Sequence, residues 1–429
     1  MSAIARLALL PRDGVFSKDA RGWFAGESGK GRALDWPWPS ALLGVVRGAW
    51  GRAHESRRGR AMVGDEWRAQ TAAIVLRQTL MLRRPFGAAW RPEHRVWPVP
   101  ADAFWPSADR ASGGAGGDGG SVSPLLPRPI EVVNTLASGE HDGACERLWR
   151  APSEGRAKPG ARPAWWRDGD FVAWLAGGDV PRRDASEWLT LERRTQTHVS
   201  IRRETMTAEE GLLFTHDVLE PLVYRRRRGG AQAGDFARGV AGASTEALEW
   251  AMGVEVRVPE GGPRLDGLSP PVAHFGSNGR AATLEALSPE LFSAPPLLRE
   301  AFRRGSRGLR LVVVNAACFK GGWLPDGFRL EGGELRGHLP KVDAELVLRA
   351  AMVARPIHAS GWDMVANQPK PIARLVSPGA VYFFERVDRR PFDESNAEAL
   401  WLAPLGGRTD EGFGRMVPGV WSALPGEKT

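Results

Sequence analysis

Lysine is scarce in this chain: only seven of the 58 basic residues, Lys18, Lys30, Lys158, Lys320, Lys341, Lys370 and Lys428. Cysteine is scarcer still. Cys145 and Cys318 are too few for a disulfide framework, and no CxxC, HExxH or histidine pair with metal-ligand spacing occurs, so neither a metal nor a cofactor is expected. Long hydrophobic runs are also missing. The N-terminal "SAIARLALLP" carries Arg6 and stops at Pro11, too short for a signal peptide, and no run approaches the ~18 apolar residues that span a bilayer. A cytosolic protein without membrane contact is the expectation.

What is present is arginine, which supplies nearly all of the positive charge behind a formal net charge of +8. Guanidinium groups fork onto phosphate and stack on bases, so the balance suits a polyanionic partner. A GC-rich genome raises Arg, Ala, Gly, Pro and Trp together, so only arginines placed in loops carry weight as ligand contacts. At 429 residues, 42% hydrophobic and 25% charged, the chain is globular and long enough for two domains with separate cores.

"SAIARLALL" reads as a first strand closed by the turn chemistry of "PRDG" at 11–14, followed by a loop through "FSKDARGWF". In "WPWPSALLGVVRGAWGRAHE" two prolines end an extended segment, and Leu42, Val45, Val46, Ala49, Trp50 and Ala53 recur at helical spacing. That is an amphipathic helix, whose Gly44 and Gly48 are expected to let it lie close to a neighbour. "SGGAGGDGGSVS" (112–123), "APSEGRAKPGARP" (151–163) and "RRRRGGAQAGDFARGVAGA" (225–243) lack the apolar surface to order themselves and read as insertions or linkers. Towards the C-terminus "GLRLVVVNAACF" (308–319) and "GAVYFFERV" (379–387) read as buried strands, with a further strand in "AELVLRAAMVARPI". "GWDMVANQPKP" (361–371) reads as a loop, and a glycine loop at 406–419 leads into a last strand ending at Trp421.

This order predicts an α+β fold with open antiparallel sheets. It also carries a family resemblance. "LLPRDGVFSKDARGW" and "WPWPSALLGVVRGAW" look like the opening strand, loop and first helix of CRISPR-associated repeat-associated mysterious proteins. "HVSIRRETMTAEEGLLF" (198–214), "CFKGGWLPDG" (318–327), "GWDMVANQPKPIARLVSPGAVYFF" (361–384) and "EGFGRMVPGVW" (411–421) resemble the third-subunit family of the type III-B Cmr effector complex, in the Cas-five-like group. The segments keep the family's order, with departures at "HVSI" and "HFGSNGR" (274–280).

The resemblance implies two ferredoxin-like (RRM-like βαββαβ) domains with flexible insertions and a C-terminal glycine-rich loop. We divide them as 1–220, with insertions near 106–165, a linker at 225–244, and 245–429. It further implies a non-catalytic scaffold that holds the 5′ repeat-derived tag of a CRISPR RNA and joins a large polymerase-like subunit to the backbone of the complex, in antiviral defence.

An unpaired RNA tag calls for arginines and backbone N–H groups on phosphates and for aromatics under splayed bases. Arg415 between its glycines, Lys18 and Arg21 in the first loop, Arg47 on the first helix and Lys370 are the side chains expected there, with Gly412, Gly414 and Gly419 allowing close approach and Phe413 beside them. Arg202 and Arg203, followed by Glu209 and Glu210, predict a hairpin with a basic and an acidic side for RNA or a neighbouring subunit. Two rivals remain. A metal-independent repeat endoribonuclease would use His54 as general base on a 2′-hydroxyl. An RNA-recognition-motif protein fits less well, because Glu411 and Arg415 stand at the wrong places around "GFG" and Pro418 interrupts the strand.

Overall fold

The computed structural model describes residues 2–17, 29–31, 34–105, 121–122, 124–127, 148–149, 160–226, 245–276, 280–363 and 368–422. These residues form an α+β, strand-rich protein that divides into two compact units. The first unit comprises Met1–Val75, Leu80–Arg95 and Leu191–Leu291; the second comprises Leu76–Thr79, Val96–Thr190 and Phe292–Thr429. This differs from a cut at 220–245. The reason is strand pairing: Ser2–Pro11 runs antiparallel to Thr245–Pro259 from Ser2↔Pro259 to Leu9↔Met252, which ties the two ends of the first unit together across the sequence.

In the first unit, Ser2–Pro11 also pairs with Ala281–Ala286, while Val75–Pro85 lies on the far side of Thr245–Pro259. Numbered along the chain, these four main strands stand in the order fourth, first, third, second. Val272–His274 extends one edge and Leu222–Arg226 also pairs with Thr245–Pro259. Between the first two strands runs α1, Pro39–Arg58, where the helical spacing buries Leu42, Val45, Val46, Ala49 and Trp50. Each such side chain contributes roughly 1.5–3 kcal/mol by leaving water. Pro39 opens the helix and Gly59, at φ 66, closes it in the left-handed region that glycine enters without strain.

The close approach expected at Gly44 and Gly48 occurs elsewhere. A Cβ on Gly44 would meet nothing within 4 Å and one on Gly48 only the Arg52 side chain, whereas at Gly51 it would fall 2.4 Å from the Trp67 ring of α2, Gly64–Ala72. Long antiparallel strands Arg193–Ile201 and Ala208–Leu219 form the predicted hairpin, with Gly29–Gly31 added in parallel to the second. Its tip is closed by Arg202 N–H donating to the Thr207 carbonyl at 2.9 Å and Met206 N–H donating to the Arg202 carbonyl at 2.8 Å.

The second unit has a seven-stranded sheet in the order Arg329–Glu331, Glu334–Gly337, Leu346–Met352, Val381–Arg386, Gly308–Val313, Arg415–Trp421, Ala403–Pro404. Its four main strands, numbered along the chain from Gly308–Val313, again stand fourth, first, third, second. The strands predicted at 308–319, 344–357 and 379–387 are all present, and every residue of Gly308–Val313 is buried. The same unit carries three helices, α3 (Asp168–Leu175), α4 (Pro296–Arg303) and α5 (Glu394–Leu400). Asp393 caps α5, its carboxylate accepting from Asn396 N–H at 3.2 Å.

At the centre Arg310 and Asp102, 1% and 0% exposed in their side chains, pair at 2.8 Å. Arg310 also donates to the Trp174 carbonyl, and Trp174 Nε1 donates to Asp102 at 3.1 Å. Burial pushes the Asp102 carboxyl up, and the Arg310 charge opposes that push.

Of the predicted insertions, Ser121–Val122 pairs with Val180–Pro181 and Leu222–Arg226 is a strand, while 106–120, 151–159 and 227–244 lie outside the described residues. The loop expected at 361–371 is a short ladder of Trp362–Asp363 with Gln368–Pro369, its centre 364–367 outside the described residues. Among the described residues no helix is long and apolar enough to cross a membrane.

Candidate nucleic-acid interface

The glycine loop was expected to face a phosphate, and the structure turns it inward instead. Arg415 is 2% exposed, with Nη2 donating to the carbonyls of Leu76 at 3.0 Å and Thr409 at 2.7 Å. Burying a guanidinium costs free energy that hydrogen bonds offset, and here two backbone carbonyls answer Nη2. Asn315 ties the loop on both sides: its Oδ1 accepts from Arg415 N–H at 2.7 Å, and its Nδ2 donates to the Gly412 carbonyl at 2.7 Å and to Thr79 Oγ1 at 2.9 Å.

The glycines serve the same internal closure. Gly412 and Gly414 have φ of 92 and 69, and a Cβ on Gly414 would sit 2.0 Å from the Leu405 carbonyl oxygen. Gly414 N–H donates to Ala316 at 2.8 Å, and its carbonyl accepts from Leu405 N–H at 2.9 Å. Gly419 lies within the last strand, where a Cβ would stand 3.0 Å from the Leu175 carbonyl. Phe413 is fully buried with the Arg408 guanidinium 4.6 Å over its ring. Gly412, Phe413, Gly414, Arg415 and Gly419 are thus buried in a folded brace of the second unit.

Arg47 is likewise spent inside its unit. It is half-buried and donates to the carbonyls of Ile74 at 3.0 Å and Ala72 at 3.4 Å, fixing the end of α2 against α1. His54 is half-buried on α1, its ring stacked on Trp50 at 4.8 Å and 10°. Lys18 and Arg21 lie outside the described residues, as do residues 227 and 228 of the arginine run.

The remaining predicted cations are free. Arg202 and Arg203 are exposed at the hairpin tip, and Lys370 is exposed beside Trp362–Asp363, its N–H bonded to the Gly361 carbonyl at 2.8 Å. Among the described residues none of these three side chains has a hydrogen-bond or ion-pair partner. At the root of the hairpin the cations are answered: Arg193 pairs with Asp35 at 2.5 Å and Arg194 with Glu220 at 2.6 Å. Ser200 Oγ donates to Glu209 at 3.1 Å on the acidic return strand. The hairpin thus ends in two exposed arginines, Arg202 and Arg203, with Glu204 in the same turn.

Two features escaped the sequence reading. One face of the hairpin carries a ladder of rings, Phe16 to His216 at 4.1 Å, His216 to His198 at 4.6 Å and His198 to Phe214 at 5.3 Å. Burial, then His198 and Arg280, hold the His216 imidazolium below the ordinary histidine range. The cue was present in sequence, since His198, Phe214 and His216 alternate along their strands, but the cross-strand register that pairs His198 with Phe214 was not. The other is a cavity in the second unit where the motifs at 318–327 and 361–384 meet, lined by Trp323 and Arg374 among others.

Residues 7–421 match the family model described as CRISPR-associated protein (Cas_Cmr3). Among solved structures, a chain from the cryo-EM structure of the Type III-B Cmr-beta bound to cognate target RNA is similar at 8% identity and a TM-score of 0.39, covering 88% of this chain and 86% of that chain. A chain from the structure bound to cognate target RNA and AMPPnP, state 1, is similar at 10% identity and a TM-score of 0.37, with the same coverages of 88% and 86%. No curated protein matches the chain.

Proposed function

Because the chain belongs to the Cas_Cmr3 family of CRISPR-associated proteins, we propose that it is a non-catalytic, cytoplasmic subunit of a type III-B Cmr effector complex that holds the 5′ repeat-derived tag of the CRISPR RNA. In this reading it also contacts the large polymerase-like subunit and the backbone subunits in antiviral defence. The observation that carries the reading is the family match over residues 7–421, nearly the whole chain. The strand order shared by the two units supports two ferredoxin-like domains, the first keeping the helix after its first strand and the second keeping the helix before its last.

The chemistry agrees. A single-stranded tag presents a phosphate on every nucleotide, and Arg202, Arg203 and Lys370 are exposed cations without a partner among the described residues. Acid–base chemistry is poorly served by His54, whose ring lies flat on Trp50. A tagged copy expressed beside its neighbouring genes, purified in moderate salt, should bring down several subunits with short RNAs sharing one repeat-derived 5′ end. Recovery of the protein alone with mixed RNA would contradict the reading, and loss of repeat cleavage in His54→Ala would establish the nuclease instead.

A further inference from the structure

The cavity in the second unit measures about 370 Å3, within the ~300–1,000 Å3 range of pockets that hold small ligands. Its lining includes the aliphatic Val353 and Leu375, the indole of Trp323 and the bare backbone of Gly321 and Gly322. Trp323 is held in place. Its carbonyl accepts from Tyr382 Oη at 2.6 Å, and burial raises the Tyr382 phenol so that it stays a donor. The turn before it is closed by Lys320 N–H donating to Asp326 at 2.8 Å and Gly322 N–H donating to Phe319 at 3.2 Å. Ala317 and Val376 exchange two backbone hydrogen bonds at 3.1 and 2.8 Å and fix the floor.

The lining includes one cation, Arg374. It is exposed, and opposite it in the strand pair His358 shares its face. His358 Nδ1 is buried without a hydrogen-bond partner. Arg355, between the lining residues Ala354 and Pro356, and Lys320, next to Gly321, are exposed as well. Among the described residues the side chains of Arg374, Arg355 and Lys320 have no hydrogen-bond or ion-pair partner, whereas Arg349 and Arg336 nearby in the chain both answer Glu334. An apolar hollow with one indole and one exposed arginine in its lining, and two further exposed cations next to lining residues in sequence, complements a ligand that is flat and apolar at one end and anionic at the other.

We propose that this cavity takes one unstacked nucleobase of the bound RNA, set against Trp323, with its flanking phosphates on Arg374 and Arg355. The inference rests on the RNA-binding function proposed above and gives it a site in the second unit. Every base offers a π-face, so such a pocket holds the strand without reading its sequence.

The test uses the complex purified through a tagged copy, its RNA removed and replaced by a fluorescein-labelled single-stranded 12-mer. Trp323→Ala and Arg374→Glu should each weaken binding by roughly tenfold, and only Arg374→Glu should flatten the salt dependence. A 12-mer abasic at every position should bind the wild type more weakly than the intact strand, and that difference should shrink in Trp323→Ala. Thermal midpoints check folding, and Arg374→Glu, an exposed change, carries the test if Trp323→Ala does not fold. Unchanged affinity in both variants, with the wild type binding RNA, overturns the pocket and leaves the function standing. Retained RNA with loss of a co-purifying subunit assigns the cavity to a protein partner and overturns it too. A wild-type complex that binds no RNA removes both the pocket and the function it rests on.

Discussion

The two units set four strands in the same order and finish them in opposite ways. In the first, α1 spans the passage from first to second strand, and the return from third to fourth carries, among the described residues, only a 3-10 turn at Leu265–Gly267 and the edge strand Val272–His274. In the second, a hairpin of Arg329–Glu331 and Glu334–Gly337 follows the first strand and α5 precedes the last. Charge is treated alike in both. Each unit buries arginines and answers them at home, Arg84 with Glu249 in the first, Arg310 with Asp102 and Arg415 Nη2 with two carbonyls in the second. Each also leaves exposed cations that have no partner among the described residues, Arg202 and Arg203 at the hairpin tip of the first and Lys370 and Arg374 in the second. An arginine between glycines is therefore not by itself a ligand contact. What separates the two uses is whether neighbouring backbone already accepts its protons.

The sharpest way to break this comparison is Asp102→Ala, which strands a buried guanidinium. It should cost about 3–5 kcal/mol in urea unfolding of the second unit, and a loss below about 1 kcal/mol would mean that water reaches Arg310. Gly414→Ala adds a Cβ 2.0 Å from the Leu405 carbonyl at φ 69, so about 2–4 kcal/mol should be lost in the same experiment. The double change Arg202→Glu with Arg203→Glu should leave the thermal midpoint unchanged, lower single-stranded RNA affinity by about tenfold and reduce the salt slope by about two. An altered midpoint with normal affinity would return the tip to a structural role.

The smallest effect concerns the ring ladder. His216 is held below the ordinary histidine range in the folded state, so the unfolded chain binds the proton more readily, and stability falls as pH drops through that range. Amide exchange within 193–219, corrected for intrinsic chemistry, should speed up at pH 5 relative to pH 7.5 and should respond less in His216→Phe. An equal response in the variant would move the effect to other groups.

Local signals in the sequence were reliable where the structure is locally decided. The spacing of Leu42, Val46 and Trp50 defines α1, and the β-branched and aromatic runs define Gly308–Val313 and Val381–Arg386. Thr245–Pro259 was not read as a strand, although Leu248, Trp250, Met252, Val254, Val256 and Val258 alternate with polar or small residues. Its partner leaves no local signal: pairing with Ser2–Pro11 is a contact between the ends of a long loop of chain, and it decides where the units divide. The same limit applies to the site. Glycine's φ requirement at 412 and 414 is visible in the residue type, whereas the direction of the loop depends on Asn315, a hundred positions away, and on the Leu76 carbonyl, 339 positions away. Arg374 gave no local cue, since its place in the lining of the cavity depends on chain segments brought together only by the fold.

Ultraviolet cross-linking of the purified complex to its own RNA, followed by peptide mapping, tests the central contrast most directly. The account predicts nucleotide adducts in the hairpin around 198–214 and around Trp323 and Arg374, with none in 406–419. Adducts concentrated in 406–419, with the hairpin and the cavity clean, would contradict it.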